Sequence, residues 1–385
     1  MSSRRRVLQL VGGGTVLAAV GVGGFALANG PSSSARAPWR RAGDYTDPRL
    51  HALSYAILAP NPHNLQPWRV ELNGDDALTV TRDPAKALPE TDPFDRQITI
   101  GFGAFLELLR MAAAKRGFRA ETVEFPDGTN PDRLDGRPVA RVRLIEDDAD
   151  ADPLFAHVLD RRTNRGVYHD RPVAASALSA LREAGSVGGT QALTTDRAED
   201  LAMLRDLTWR AHEVEATTPA THMESVDVMR IGRAEVARDP DGIVLEGPVI
   251  AAARLTGALD RGSLADPDSD VFRQGMDMYR DRAASAQAFL WLRNAGRTRG
   301  DQLEAGCAWV RAHLAATAHG LAVHPWSQAL QEYPEMSGLF DEAHERLGSD
   351  GGAGARVQML ARVGHARPVG PSPRWPLEAV VKGGV

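Results

Sequence analysis

The spacing of apolar residues changes along the chain between helical and alternating patterns, which predicts both helices and strands. Alternating positions and short apolar runs predict strands over 69–72, 78–82, 121–125, 139–145, 289–292 and 358–363. Helical spacing predicts helices over 102–116, 306–320 and 336–347. This order lacks the repeated strand–helix–strand unit of a Rossmann domain, so we do not expect a dinucleotide-binding domain of that type.

One internal repeat is visible in this pattern. Residues 103–117 align without gaps on residues 306–320, and both stretches are apolar with small residues on one face and a glycine at the end. The aligned pairs include Gly103 with Gly306 and Gly117 with Gly320. Two unrelated buried helices can share such a pattern, so the repeat alone leaves chance similarity open.

Between residues 173 and 282 the pattern is mostly helical. Runs rich in Ala, Glu and Arg cover 174–184, 196–216 and 224–237. Residues 242–248 and the acidic stretch 260–270 interrupt them. We therefore expect a helical segment with loops in the middle of the chain.

Composition narrows the range of functions. The chain has 385 residues, of which 43% are hydrophobic, enough for a sizeable core. A net charge of −5 argues against a general nucleic-acid binder. With Cys307 as the single cysteine, neither an intrachain disulfide nor a cysteine-based metal site is possible, and we predict no metal.

The N-terminus carries a targeting pattern. Residues 3–9 resemble a twin-arginine export signal, an apolar stretch follows to Ala28, and Ala26 to Ala28 form a small-residue cleavage site. This predicts a signal over 1–28, recognised by the twin-arginine export machinery, and an exported, periplasmic or extracytoplasmic protein. An uncleaved membrane anchor is the alternative. Residues 29–46, with Trp39, are interpreted as a solvated linker.

A proline-rich stretch over 59–68 follows a predicted helix and precedes a strand. Three prolines stiffen this loop, so the carboxamides of Asn64 and Gln66 project from a rigid frame. Carboxamides offer donors and acceptors that suit a flat heterocycle such as a flavin. The alternative is an ordinary loop whose amides cap nearby backbone.

A second motif suits a phosphate. Arg161, Arg162, Thr163 and Arg165 place three guanidinium groups and a hydroxyl within five residues. A solvated helix end is the alternative. Arg374 adds a further arginine in the proline-rich segment 370–376.

Together these motifs resemble the nitroreductase-type flavoprotein superfamily, and most closely its internally duplicated, Acg-like branch. The resemblance covers residues 48 to 385. Its motifs are Asn64-x-Gln66-Pro67-Trp68, Arg161-Arg162-Thr163-x-Arg165, His319-Gly320-Leu321, and the tail from Arg362-Val363-Gly364 to Pro373-Arg374.

The resemblance implies an α+β fold with helices around mixed or antiparallel sheets. Two related halves, residues 47–150 and 151–385, would form a pseudo-dimer within one monomeric chain, and a lid-like insertion would cover about 218–282. Because the loop occurs only in the first half and the arginine motif only in the second, one FMN site would lie between them.

Carried over residue by residue, the resemblance implies a set of FMN-binding positions. Arg161, Thr163, Arg165 and Arg374 would hold the phosphate and ribityl chain, and the loop residues would face the ring. Pro62 departs from the family, which has small polar residues there. The full set is Pro60, Asn61, Asn64, Gln66, Arg161, Arg162, Thr163, Arg165, Pro325, Trp326, Ser327, Gln328 and Arg374.

The implied function is an exported FMN-dependent oxidoreductase that transfers two electrons as hydride to small quinone- or nitro-type acceptors. The electron donor, NAD(P)H or another reductant, stays open. No catalytic side chain is expected, since the chemistry would belong to the flavin. The alternatives are a non-catalytic FMN-binding or flavin-sequestering protein with a lidded site, and a structural protein with a degenerate site.

Overall fold

The fold is described from a computed structural model, which covers residue 25 and residues 29–148, 150–296, 298–348 and 355–383. The predicted signal over 1–28 therefore lies, except for Phe25, outside the described residues. The helices are α1 (Ala37–Arg41), α2 (Pro48–Ala56), α3 (Arg96–Lys115), α4 (Ala175–Gly185), α5 (Ala198–Thr217), α6 (Pro219–Asp227), α7 (Arg233–Arg238), α8 (Pro248–Leu255), α9 (Arg261–Ala265), α10 (Asp270–Ala284), α11 (Arg299–Ala318), α12 (Ser337–Gly348) and α13 (Leu377–Val380).

The strands form two main sheets and one short parallel pair. They are β1 (Trp68–Asn73), β2 (Ala77–Arg82), β3 (Phe118–Glu124), β4 (Ala140–Glu146), β5 (Gln191–Thr195), β6 (Met229–Ile231), β7 (Ile243–Leu245), β8 (Ala288–Asn294), β9 (Ala322–Pro325), β10 (Arg356–Gly364) and β11 (Val381–Lys382). The predicted α+β class is confirmed.

The first sheet has the strand order β11-β1-β2-β4-β3. β1 and β2 form the antiparallel hairpin that the turn residues at 73–76 predict, with Val70 opposite Val80. β11, from the C-terminal end, pairs parallel to β1 through Val70 and Val381. The tail of the chain thus completes a sheet built by its first half.

The second sheet is antiparallel throughout, in the order β5-β8-β10-β9. β10, one of the two inner strands, is buried along nearly its whole length, including the polar side chains of Gln358 and Arg362. β9 leads directly into the segment 325–328, which the sequence assigns to the site.

The two helices of the internal repeat, α3 and α11, cross in close contact at their aligned glycines. A Cβ atom on Gly103 would lie 1.9 Å from the carbonyl oxygen of Leu303, and one on Gly306 would lie 2.0 Å from that of Ile100. Only glycine permits this approach of two backbones. Because α3 packs in the first core cluster and α11 bridges to the second, the crossing joins the two halves.

Two features of the fold differ in kind from what their sequence suggests. α3 is long and apolar enough to span a membrane, but 83% of its apolar window is buried inside the protein. The predicted linker over 29–46 is wrong, since it forms α1 and buries Trp39 to 6% exposure. Trp39 is covered because its Nε1 donates to the Ser372 carbonyl at 2.8 Å, which brings the C-terminal tail over it.

Candidate functional site

One cavity of about 780 Å³ joins the motifs of the two halves. Its volume lies in the range of small-molecule and cofactor sites. Both the proline-rich loop and the arginine motif line it. The predicted residues on its wall are Pro60, Asn61, Asn64, Arg161, Arg162, Thr163, Arg165, Pro325, Ser327, Gln328 and Arg374.

Direct hydrogen bonds hold the two halves together at one end of this cavity. Arg161 donates from Nη2 to the Leu58 carbonyl at 3.0 Å. Arg374 donates from Nη2 to the carbonyls of Leu58 and Ala59, both at 3.0 Å, and from Nη1 to the Asn64 side chain. Residues distant in sequence therefore meet in a single site.

Trp39 forms an aromatic platform beneath this arginine cluster. Its ring centre lies 5.9 Å from Cζ of Arg161, 4.5 Å from that of Arg162 and 5.6 Å from that of Arg374. Guanidinium groups are attracted to the face of an indole at such distances. The platform orders three like charges beside one another.

The charge and the donors of this cluster suit an anion. Arg161, Arg162 and Arg374 form no ion pair with any described carboxylate. Burial and the neighbouring Arg162 lower the pKa of Arg161 to about 9, and burial with the adjacent arginines lowers the pKa of Arg374 well below its usual value. The Nε atoms of Arg161 and Arg374 are buried with no hydrogen-bond partner among the described residues. A bound phosphate would satisfy both the charge and the donors.

The proline-rich loop has a strained backbone. His63, Asn64 and Gln66 have φ angles of 46°, 58° and 56°, in the left-handed region that residues other than glycine rarely adopt. Asn61 stabilises the turn by accepting the Gln66 N–H at 2.8 Å and donating to the Ala59 carbonyl at 3.1 Å. Strain of this kind is found where a functional loop needs one fixed shape.

The carboxamides of the loop do less for a ligand than the sequence suggests. Asn64 donates to the Pro373 carbonyl at 3.2 Å and accepts from Arg374. Gln66 donates to the Pro240 carbonyl at 2.9 Å and accepts from the Trp375 N–H at 2.8 Å. These side chains mainly brace the loop against other segments.

Two of the predicted site residues, Gln66 and Trp326, do not line the cavity. Gln66 is buried in the bonds just described. Trp326 is also buried, with its indole Nε1 donating to the Thr208 carbonyl at 2.9 Å and its backbone N–H to the Leu360 carbonyl at 2.8 Å. The backbone N–H of Trp326 therefore bonds to the second sheet and is not available to a ligand.

The middle of the chain supplies the remaining wall of the cavity. The sequence predicts this region only as a lid-like segment and does not identify the residues that line the cavity. α5 contributes His212 and Glu215, and α10 contributes Tyr279 and Arg282. The rings of His212 and Tyr279 stack with centres 4.0 Å apart. In each helix the two residues lie three positions apart, as neighbours on one helix face do. This spacing can be seen in the sequence, but it does not show which face of the helix is buried.

Three histidines on the cavity wall, His63, His212 and His324, are neutral at pH 7. Burial, with Arg165 or Arg282 nearby, lowers the pKa of His63 and of His212 to about 4. Burial and several arginines hold the pKa of His324 well below its usual value. These three histidines therefore add no positive charge to that of the arginines. Among the described residues, no cluster of three or more His, Cys, Asp or Glu side chains is placed to hold a metal ion.

Known proteins are similar to this chain in sequence, one of them over most of its length. This chain is 29% identical over 340 residues to the protein named "Putative NAD(P)H nitroreductase Rv3131" of Mycobacterium tuberculosis H37Rv. The aligned region covers 86% of this chain and 90% of that protein. The chain is 35% identical over 86 residues, 22% of this chain and 26% of the relative, to "Putative NAD(P)H nitroreductase acg" of the same strain. The predicted nitroreductase-type and Acg-like relatives are confirmed. No family model matches the chain.

Solved structures give a weaker likeness. The FMN-dependent nitroreductase NfnB from Mycobacterium smegmatis, solved in complex with NADPH, is 20% identical and covers 57% of this chain and 92% of its own. The TM-score is 0.35.

Proposed function

We propose that this protein is an FMN-dependent oxidoreductase of the nitroreductase type, which reduces quinone- or nitro-type acceptors by two electrons. The observation that carries the proposal is the one cavity in which the proline-rich loop meets three arginines that form no ion pair with a described carboxylate. The relatives named as NAD(P)H nitroreductases support the enzyme class and favour a nicotinamide nucleotide as electron donor.

The residues present fit FMN. Arg161 and Arg374 would hold the phosphate with their unpartnered Nε atoms, and the Thr163 hydroxyl, which has no hydrogen bond among the described residues, would add a donor. Bound FMN would supply hydride transfer. The protein's part is to fix the ligand between the rigid loop and segment 325–328, and to exclude water with the wall formed by α5 and α10.

The two halves would derive from one duplicated unit, so that a single chain resembles a dimer and acts as a monomer. Two observations support this proposal. The repeat helices cross at aligned positions, Gly103 and Gly306, which is what a pseudo-twofold axis requires. β11 also extends from the second half into the sheet of the first, as a tail exchanged between subunits would.

We further propose export through the twin-arginine pathway, on the motif at residues 3–9 and the small residues at 26–28. That pathway carries folded proteins, which suits a cofactor held without covalent bonds. The donor then has to be available outside the cytoplasm or used before export. An uncleaved signal acting as a membrane anchor is the alternative destination.

The test of FMN binding is a comparison of matched arginine variants. The absorbance spectrum of the purified protein should show bound flavin. FMN at 100 times its dissociation constant should stabilise the wild type by about 2.7 kcal/mol. Arg161→Gln and Arg374→Gln should weaken FMN binding about tenfold to a hundredfold, since each removes a charged hydrogen bond.

Arg171→Gln, which removes an exposed arginine away from the cavity, is the control and should bind FMN as the wild type does. The quantity to compare is the FMN-induced shift in melting temperature, because Arg161 and Arg374 also stabilise the apoprotein. A colourless protein with no such shift, or equal shifts in all three variants, contradicts the proposal.

A non-catalytic flavin carrier is the second candidate, favoured by how tightly the middle segment is tied to the loop. The Gly242 N–H donates to the Asn64 carbonyl at 3.2 Å, and Pro240 accepts from Gln66. Anaerobic stopped-flow mixing with NADPH, NADH and dithionite separates the two functions. Flavin that is bound but reduced by none of them identifies the carrier.

A further inference from the structure

One face of α10 forms an apolar wall of the cavity that ends in a positive charge. The lining residues follow helical spacing and are Val271, Phe272, Gly275, Met276, Tyr279 and Arg282. Tyr279 is held in place by its stack on His212, with an interplanar angle of 20°. Such a wall suits a planar apolar molecule.

Arg282 differs from the arginines on the outer face of the same helix. Arg273 pairs with Asp270 at 2.8 Å and Arg280 with Asp277 at 4.0 Å, each with the acid three residues earlier. Arg282 forms no ion pair with a described carboxylate. It is the arginine of α10 on the cavity wall.

The surroundings of Arg282 are themselves positive. Its guanidinium contacts Met278 Sδ at 3.1 Å and lies 4.8 Å from the Tyr279 ring centre. Burial lowers its pKa, and the nearby Arg165, also on the cavity wall, lowers it further. Arg362 lies close by as well, donating to the Arg282 carbonyl at 2.7 Å. The half-buried Arg282 and the exposed Arg165 therefore both line the cavity without an ion pair to a described carboxylate.

The charge of this cavity exceeds what one phosphate monoester can balance. Two carboxylates also line it: Glu246, which pairs with Arg36, and Glu215, whose pKa burial raises to about 7. A phosphate monoester carries at most about two negative charges. The arginines on the wall that form no ion pair with a carboxylate in the described part of the chain are Arg161, Arg162, Arg165, Arg282 and Arg374.

We propose that Arg282 binds the anionic substituent, a carboxylate or sulfonate, of a planar aromatic electron acceptor that packs against Phe272, Met276 and Tyr279. This inference rests on the proposed function and specifies its substrate class. For a nitro compound the overall reaction balances as acceptor, NADPH and one proton giving the nitroso compound, NADP⁺ and water. The carboxylate is not consumed and serves recognition only.

The test uses two acceptors of the same shape that differ in charge, 4-nitrobenzoate and 4-nitrobenzamide. Their dissociation constants are measured by titration calorimetry on the oxidised holoprotein without any electron donor, so the result does not depend on turnover. We expect wild type to bind 4-nitrobenzoate about tenfold more tightly, as a desolvated charge pair requires. The preference should narrow as salt is added.

Arg282→Gln should reduce this preference to about twofold or less, whereas Arg282→Lys should retain most of it. Arg280→Gln removes the same charge from the solvent face of α10 and should leave the preference unchanged. Equal binding of the two acceptors by wild type, or an equal loss in Arg280→Gln, overturns the proposal.

Two further measurements identify other roles for the same charge. If Arg282→Gln weakens the binding of FMN as strongly as Arg161→Gln does, Arg282 binds the cofactor and the proposal is wrong. If Arg282→Gln weakens the binding of NADPH but keeps the preference for 4-nitrobenzoate, the anion that Arg282 binds is the nucleotide phosphate. The proposal is then also wrong. A wild type that binds no FMN contradicts the proposed function, while the binding of 4-nitrobenzoate and 4-nitrobenzamide can still be compared on the apoprotein.

Discussion

At the scale of one residue, Glu215 is a buried carboxyl on the cavity wall that should lower the stability of the fold at neutral pH. Its carboxyl is buried on α5, has no cationic partner among the described residues, and accepts one hydrogen bond from Gln331 Nε2 at 2.7 Å. Burial, with Glu224 nearby, raises its pKa from 4.5 to about 7. The carboxylate form is therefore disfavoured in the folded protein.

The effect of Glu215 on the free energy of unfolding depends on pH. A carboxyl whose pKa is raised on folding destabilises the protein above its unfolded pKa of 4.5, and the cost is fully developed above about pH 7. Glu215→Gln keeps the acceptor for Gln331 and removes the charge. It should raise the free energy of unfolding at pH 8, by up to about 3 kcal/mol, and change little at pH 4.5.

Urea unfolding at both pH values is the measurement, and Glu342→Gln is the control. Glu342 accepts hydrogen bonds from Arg210, which lower its pKa, so its charge stabilises the fold above its unfolded pKa of 4.5. That substitution should destabilise the protein at pH 8. Two changes of the same sign at pH 8 would contradict the electrostatic account of Glu215.

At the scale of elements, the crossing of α3 and α11 determines how the two halves pack. Gly103→Ala and Gly306→Ala each place a methyl group within about 2 Å of a carbonyl oxygen on the other helix. The backbones must separate, which should destabilise the fold by roughly 1–3 kcal/mol each. Urea unfolding monitored by tryptophan fluorescence measures the effect.

Gly338 in α12 is the matched control for this prediction. A Cβ atom there meets no heavy atom within 4 Å. Gly338→Ala should therefore be neutral or stabilise by about 0.5 kcal/mol, because alanine favours helix. If the alanines at 103 and 306 behave as the one at 338 does, the close crossing of the helices is not as described.

The elements that sequence predicts well are those with strong local patterns. The β1–β2 hairpin, α3, α11 and β10 follow from alternation, helical spacing and turn residues. β9 and β11 are short and gain their strand form only from partners far along the chain. Their local sequence carries no signal of its own, so tertiary pairing decides them.

The same distinction applies to the site. The motifs at 60–64, at 161–165 and at Arg374 could be read because each combines residue types suited to one chemistry, and the structure brings them to one cavity. Trp39 could not, since its burial depends on the tail closing over it. Nor could Gln66 be excluded, because its partners, Pro240 and Trp375, are remote in sequence.

At the scale of the whole molecule, the C-terminal tail should be indispensable to both fold and site. A chain ending at Gly370 loses Arg374, the bond from its backbone N–H to the Ala35 carbonyl at 2.8 Å, and β11. We expect it to melt at a lower temperature than wild type and to retain no FMN after gel filtration. Differential scanning fluorimetry and the absorbance spectrum measure the two effects.

A chain ending at Lys382 is the control for this truncation. It keeps Arg374 and both residues of β11, so its melting temperature and flavin content should match those of the full chain. Retention of FMN by the shorter chain would contradict the assignment of Arg374 to the phosphate.

Because Arg374 follows every other residue of the arginine cluster in the sequence, it also determines when the site can first form. While residues 370–376 are still inside the ribosomal tunnel, Trp39 lacks its cover and the Leu58 and Ala59 carbonyls lack their guanidinium partner. Neither the arginine cluster nor the braced loop can assemble on such a nascent chain. A ligand that needs both can therefore bind only after this segment has left the ribosome, as a late step in maturation.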